Sequence, residues 1–418
     1  MHSTISRNNG DLFMENVALN DIAKQFGTPC YVYSKRAIEL NYNAYTAALG
    51  DYPNLICYAV KSNSNIAVLQ TLAALGAGFD IVSIGELERV LMAGGDPKKI
   101  VFSGLAKTAD EMSRALEVGI HCFNVESESE LVLLNATAAR LAISAPVSIR
   151  VNPDVDAKTH PYISTGLKED KFGIDINQAL GVYERAAQMD HIDLIGVDCH
   201  IGSQLTEVKP FIDAMARLLI LVDQLTERNI PLTHIDIGGG LGVRYQNEQT
   251  LSVDDYVSEL LPLLAQRNET LILEPGRSIT ANAGVLLTHV QYLKSNDHKN
   301  FAIVNAAMND MLRPSLYQAW MDIQPISTHS DQQKKIYDVV GPVCESGDFL
   351  GKDRTLSIRE GDCLCLFSAG SYGFVMSSNY NSRPRVAEIM VAGEQVHLIR
   401  QRETLQDLVR GEQLLPVS

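Results

Sequence analysis

The chain of 418 residues lacks the features that would tie it to a membrane or to nucleic acid. It has no apolar run long enough to span a bilayer, and its first residues, MHSTISRNNGDLFMENVALND, contain no continuous apolar core of the kind a secretory signal carries. Positive charge is scarce: Lys plus Arg number 35 against 50 Asp plus Glu, a formal net charge of −15, so the composition argues against a basic patch for phosphodiesters or anionic lipid. A cytoplasmic protein with no nucleic-acid or membrane partner is expected. The seven cysteines are an odd number without paired spacing. Cys57, Cys122 and Cys199 lie inside apolar strand-like runs, where a thiol packs as a small hydrophobe and stays reduced. Cys363 and Cys365 share one face of a strand, but no histidine or second cysteine pair lies nearby in sequence, so no metal site is expected. Internal repeats, low-complexity linkers and long charge runs are also missing.

The residues that are present describe two domains. An apolar content of 46% over this length supports more core than one ordinary domain holds. Strand-like runs occur at Leu55–Val60, Gly78–Val82, Lys99–Phe102, His121–Val125, Val147–Val151, Leu194–Cys199, His234–Ile237 and Leu271–Leu273. Between them lie segments with helical spacing, including Ile66–Leu75, Glu86–Met92, Glu111–Val118, Glu128–Leu141, Phe211–Leu225 and Tyr256–Leu264. Eight strand–helix units in about 250 residues predict a (β/α)8 TIM barrel, an α/β fold. The alternative, a doubly wound open sheet, is disfavoured because no GxGxxG follows the first strand and the polar motifs recur after many strands. Beyond Gly284 the helical period disappears: VLLTHVQYL, FAIVNA, KIYDVVGPV, DCLCLF, RVAEIMVA and QVHLI are short, β-branched and separated by turn residues, which predicts a second, all-β domain. The expected organisation is an N-terminal segment 1–33, whose YVY strand joins the β domain, then the barrel over 34–283 and the β-rich domain over 284–418. Ser34 is expected to cap a helix through Ala37, Leu40, Tyr45 and Leu49.

In a barrel of this kind, chemistry sits where the strands end at their carboxyl side. NLICYAVKSNSN closes the first strand on Lys61, and a lysine there can serve as an amine nucleophile toward a carbonyl. Asp80 lies in the second strand, within GFDIVSIGEL. His200, Gly202 and Ser203 (CHIGSQ) follow the sixth, Gly238, Gly239 and Gly240 (DIGGGLG) the seventh, and Glu274-Pro275-Gly276-Arg277 the eighth. Loops after the seventh and eighth strands are the recurrent phosphate site of the fold, where glycine lets backbone N–H groups close on phosphate oxygens. One ligand accounts for all these positions. Pyridoxal 5′-phosphate has an aldehyde for Lys61, a phosphate for the glycine loops and a pyridine nitrogen for the anion of Glu274, with the flat imidazole of His200 to stack on its ring.

YAVKSN, GFDIVSIGEL, HIGSQ, DIGGGLG, EPGR and CESGD, with NPDVDAKTHPYISTGLKEDKFGI and MNDMLRPSLY, resemble the fold-type III pyridoxal-phosphate decarboxylases over nearly the whole chain, and most closely the diaminopimelate decarboxylase family. One departure is Ser62, where the family's YAVKAN usually has alanine. The resemblance implies Lys61 as the covalent anchor of the cofactor, His200 as ring stacker and Glu274 as partner of the pyridine nitrogen. It implies Ser203, Gly240, Gly276 and Arg277 around phosphate and substrate, and Arg277, Arg313 and Tyr317 on a substrate carboxylate. Glu345 would hold the distal ammonium, Tyr372 would reach both cofactor and substrate, and Cys344 would donate a proton. It further implies a homodimer in which CESGD enters the neighbouring subunit's site, and conversion of meso-2,6-diaminopimelate to L-lysine and CO2. A decarboxylase of ornithine, arginine or lysine, a racemase on the same cofactor, and a non-enzymatic binding protein are the alternatives the residues leave open.

Overall fold

The computed structural model describes residues 4–155, 171–328 and 333–416; within the motif NPDVDAKTHPYISTGLKEDKFGI, residues 156–170 lie outside the described residues. The described chain forms two compact units. One comprises residues 39–244 and 248–279, the other residues 1–38, 245–247 and 280–418.

The first unit is an eight-stranded parallel barrel. Its strands are β1 (Asn54–Ala59), β2 (Gly78–Ile81), β3 (Ile100–Phe102), β4 (Cys122–Val125), β5 (Ala145–Asn152), β6 (Ile192–Asp198), β7 (His234–Asp236) and β8 (Thr270–Leu273). Each pairs in parallel with the next in sequence, and β8 returns to β1 with Leu271 opposite Asn54, which closes the ring. Several of these strands are short, mostly apolar runs buried along their whole length, as β2, β3 and β4 are, with Asp80 and Asn124 as their polar members, because side chains on one face fill the barrel and those on the other pack under helices. Helices of matching period follow the strands at Ile66–Ala74, Ile84–Met92, Ala109–Val118, Glu128–Leu141, Ile176–Ala186, Lys209–Glu227 and Val253–Leu260. Most start on a residue that can bind its own backbone. Asn65, Ser83, Thr108, Ser127, Asp175 and Ser252 each accept a hydrogen bond from an N–H two or three residues on, and Thr108 completes a reciprocal box with Glu111. Such a cap contributes ~1 kcal/mol and sets where the loop stops. All eight strands run the same way, so their carboxyl ends, and whatever side chains stand there, share one end of the barrel.

The second unit is β-rich. Its main sheet runs Phe349–Leu356, Lys335–Val340, Asn300–Val304, Gly284–Ser295, Cys30–Ser34, Ala387–Ala392 and Gln395–Arg400, with Cys363–Leu366 pairing both Gly284–Ser295 and Ile323–Pro325. The YVY strand thus does join this sheet, antiparallel to Gly284–Ser295 and parallel to Ala387–Ala392. Cys30, Val32, Val285, Leu287, Cys365 and Ile389 form the middle of its core, so Cys30 and Cys365 act as small apolar side chains. The helix expected after Ser34 runs over Lys35–Leu49, and Ser34 Oγ accepts the Ala37 N–H at 3.0 Å. Phe349–Leu356 has only Thr355 as a β-branched residue and carries Lys352, Asp353 and Arg354, which is why its strand character is weak in the sequence.

Candidate active site

The carboxyl end of the barrel gathers one amine and several acids. Lys61 stands on the 3-10 turn Val60–Ser62 that ends β1, and its Nζ lies 2.6 Å from Oδ2 of Asp80, which is fully buried on neighbouring β2. Lys61 keeps 37% of its side chain exposed, so the amine is held by an ion pair yet accessible. Ser62, the departure from the family's alanine, is buried with Oγ 2.8 Å from both the Tyr58 hydroxyl and the Ala59 carbonyl. Its extra oxygen braces the turn that carries Lys61.

Glu274 follows β8, and its buried Oε1 accepts from Ser103 Oγ at 3.3 Å and Asn124 Nδ2 at 3.4 Å. Asp198 ends β6 and Asp236 ends β7; carboxylate oxygens of Asp198, Asp236 and Glu274 lie within 4.8 Å of one another, all buried. Burial first, then repulsion from Asp236, Asp80 and Asp198, holds the Glu274 carboxyl well above its ordinary range, with Lys61 acting in opposition. Asp236 is pushed up to about 7, mainly by burial and then by Asp80, against the stabilising Gly238 N–H. Arg150 is the compensating cation: it bonds Glu126 at 2.9 Å and approaches Asp198 at 3.8 Å.

The loops after β6, β7 and β8 are packed so closely that only glycine serves at their contacts. A Cβ on Gly239 would fall 2.2 Å from the Glu274 carbonyl, and Gly240, at φ +113°, would place one 2.4 Å from the Gly202 carbonyl. The N–H of Gly238 donates to Asp236 Oδ1 at 2.8 Å and that of Gly239 to His200 Nδ1 at 3.2 Å. Among the described residues no acceptor takes the N–H of Gly240. His200 therefore carries its proton on Nε2, and loss of hydration together with Arg150 and Lys61 keeps its pKa well below the usual imidazole value. Arg277, nearly buried, directs Nε and Nη2 at Ser203 Oγ, 3.3 and 3.0 Å away.

A model of the pyridoxal-binding domain of pyridoxal-dependent decarboxylases matches residues 35–281. The chain is 62% identical to the diaminopimelate decarboxylase of Pseudomonas aeruginosa, over 99% of each, and 58% identical to that of Vibrio cholerae, over 97% of this chain and 98% of the relative. The chain belongs to the pyridoxal-dependent decarboxylase family. Among solved structures it resembles the diaminopimelate decarboxylase of M. jannaschii in complex with L-lysine (TM-score 0.94, 38% identity, 99% of this chain and 98% of that one) and that of Helicobacter pylori complexed with L-lysine (0.91, 44%, 94% and 98%). The cofactor of a pyridoxal-dependent decarboxylase is pyridoxal 5′-phosphate, and the barrel residues fit it. Lys61 offers the amine that its aldehyde needs. Asp80 Oδ1, Asp198 Oδ1 and Asp236 Oδ2 are buried without a hydrogen-bond partner among the described residues, and five buried carboxylates, those of Asp80, Glu126, Asp198, Asp236 and Glu274, surround Lys61 and Arg150. A protonated pyridine nitrogen is the kind of group that such an acidic cluster accepts.

Of the residues expected from the sequence, Lys61, His200, Ser203, Gly238, Gly239, Gly240, Glu274, Gly276 and Arg277 all lie on strand ends or loops at this one end of the barrel unit. Arg313, Tyr317, Cys344, Glu345 and Tyr372 belong to the β-rich unit. There Arg313 is buried, with its guanidinium 4.5 Å from the ring centre of Tyr245, and Tyr372 sits at φ +54°. Cys344 and Glu345 are exposed on a loop anchored by buried Asp348, which accepts the N–H groups of Met308 and Val343 at 2.7 Å each. Sequence reasoning missed Asp198 and Asp236. Each ends a barrel strand immediately before a glycine-bearing motif, in GVD and HID, and that placement was the available signal.

Proposed function

We propose that the chain decarboxylates meso-2,6-diaminopimelate to L-lysine and CO2, the final step of lysine biosynthesis. The observation that carries this reading is Lys61 paired to Asp80 at the same barrel end as the buried Glu274–Asp236–Asp198 cluster. The names of relatives about 60% identical over almost the full length supply the substrate. Pyridoxal 5′-phosphate, when bound, supplies the electron sink that accepts the pair left as CO2 departs. Asp80 holds the Lys61 amine in place, and the Glu274 carboxyl, backed by Ser103 and Asn124, keeps a proton at the pyridine nitrogen. His200 offers a neutral, flat ring fixed by the Gly239 N–H. The N–H of Gly240 and the Arg277 guanidinium answer phosphate or carboxylate oxygens.

On the β-rich unit, Arg313 and Tyr317 are assigned to the substrate's distal carboxylate, Glu345 to its ammonium, Tyr372 to cofactor and substrate, and Cys344 to proton delivery. The working form is a homodimer in which Cys344 and Glu345 serve the neighbouring copy; their exposure supports this role. The assignments of Arg313, Tyr317, Cys344 and Glu345 rest on the family motifs RPSLY and CESGD, and that of Tyr372 on the family resemblance. The test is to incubate the protein and pyridoxal phosphate with meso-diaminopimelate, L-lysine, L-ornithine or L-arginine and to identify the products. Lysine with CO2 from diaminopimelate alone is expected. Equal CO2 from lysine or ornithine overturns the substrate, and epimerisation without CO2 overturns the reaction. Arg313→Met should lower kcat/KM for diaminopimelate by a large factor, on the order of 10⁴ for an unpaired polar contact.

A further inference from the structure

The end of the barrel opposite Lys61 carries a second cluster with ligand chemistry. His121 precedes β4, Cys122 opens it and His234 opens β7, so residues remote in sequence meet at the amino ends of two strands that are not neighbours. One donor atom from each lies within 4.8 Å of the others; Cys122 Sγ is 4.0 Å from His234 Nε2, and the imidazole centroids are 5.2 Å apart. Cys122 and His234 are buried, His121 half-buried, and Cys57, Val101 and Ile272 pack around the thiol. Space for the His234 ring comes from Gly196 on β6, where a Cβ would fall 1.9 Å from Nε2.

His121 Nε2 is buried without a hydrogen-bond partner among the described residues, while the same ring bonds the Lys98 backbone; His234 presents Nε2 to Cys122. An imidazole that donates one N–H to a backbone carbonyl and turns its other nitrogen outward is held as metal-ligating histidines are held.

We propose that His121, Cys122 and His234 bind a divalent transition-metal ion of the zinc class, with water as fourth ligand. Two imidazoles and a thiolate suit such an ion, whereas magnesium and calcium require oxygen. Metal–sulfur and metal–nitrogen bonds of about 2.3 and 2.0 Å put tetrahedral donors roughly 3.3–3.5 Å apart, so Cys122 Sγ and His234 Nε2, now 4.0 Å apart, close by about half an ångström and His121 moves in by up to roughly 1 Å. On binding, the Cys122 S–H proton passes to solvent water as the sulfur–metal bond forms. The ion would clip β4 to β7 across the barrel floor, beneath Asn124, whose Oδ1 accepts from the Cys122 thiol at 3.6 Å.

The test uses holoenzyme stripped with chelator and titrated with Co2+ and, separately, Zn2+. Expected are one tightly held equivalent, a near-ultraviolet sulfur-to-cobalt band that Zn2+ abolishes, and a higher Tm with Zn2+. Cys122→Ser should remove the band, and His121→Ala, at a half-buried position, should weaken Zn2+ binding at least tenfold with decarboxylation unchanged. Absence of the band in the wild-type protein at saturating Co2+, or Zn2+ affinity undiminished in His121→Ala, overturns the proposal. If Cys122→Ser does not fold, His121→Ala alone decides.

Discussion

Glu274→Gln separates an electrostatic role from a structural one. In the protein freed of cofactor, Glu274 shares buried space with Asp198 and Asp236, their oxygens within 4.8 Å. Two full charges at that separation repel by ~3 kcal/mol at an effective dielectric of about 20. Glu274 therefore retains its proton there, in keeping with its raised pKa. Glutamine is close in shape to that neutral acid, its Oε1 can still accept from Ser103 and Asn124, and its amide can donate toward Asp236. The change in stability should stay within ~1 kcal/mol, a shift in Tm of roughly 2–4 °C for a unit of this size. With cofactor bound, glutamine cannot supply the anion for a protonated pyridine nitrogen, and loss of one preorganised electrostatic partner costs about 10²–10³ in kcat. The assay pairs calorimetry of the cofactor-free protein with CO2 release by the loaded enzyme. A kcat within threefold of wild type, or a fall in Tm above about 10 °C, would refute the reasoning.

Lys61→Ala should abolish turnover, and borohydride reduction of the wild-type holoenzyme should label the peptide containing Lys61; label elsewhere removes the assignment. Asp236→Asn should change how stability depends on pH. With its folded pKa at about 7, above the unfolded value of about 4, Asp236 keeps a proton in the native state that the unfolded chain has lost, so cofactor-free stability falls between those two values and levels off above them. Urea unfolding at pH 5 and pH 8 should show that fall reduced in Asp236→Asn; an unchanged slope counts against it. Mixing Lys61→Ala with Cys344→Ala under conditions of subunit exchange should restore at most about a quarter of wild-type activity, because random pairing makes half the molecules mixed dimers, each with one intact site. No recovery after proven exchange would place Cys344 and Lys61 in the site of one chain.

Much of the architecture was legible in the chain because its signals are local. Apolar runs of strand length, the helical spacing between them and the change of period near Gly284 are properties of a few consecutive residues. The eight barrel strands consequently appear within a few residues of where the pattern puts them. Lys61 and Glu274 were legible for a related reason: each follows immediately on a strand, and strand ends are where this fold does its chemistry. Ser34 as a helix cap is also a short-range inference that its bond to the Ala37 N–H bears out.

What only the tertiary structure decided is which of these strand ends meet and which groups spend their hydrogen bonds on each other. Closure of β8 onto β1 brings Glu274 back beside the turn of Lys61, and the inward direction of Asp198 and Asp236 turns two ordinary strand-end acids into a buried cluster that raises their pKa values. The glycine loop looked like three free N–H donors; in the fold, Gly238 and Gly239 give theirs to Asp236 and His200. His121, Cys122 and His234 carry no spacing signal, because ligands on β4 and β7 become neighbours only when the ring closes. Sequence periodicity determines which residues form strands and helices, since that depends on neighbours along the chain. Side-chain charge, protonation and ligand geometry depend on distances of a few ångströms between remote residues, and those exist only once the barrel is shut.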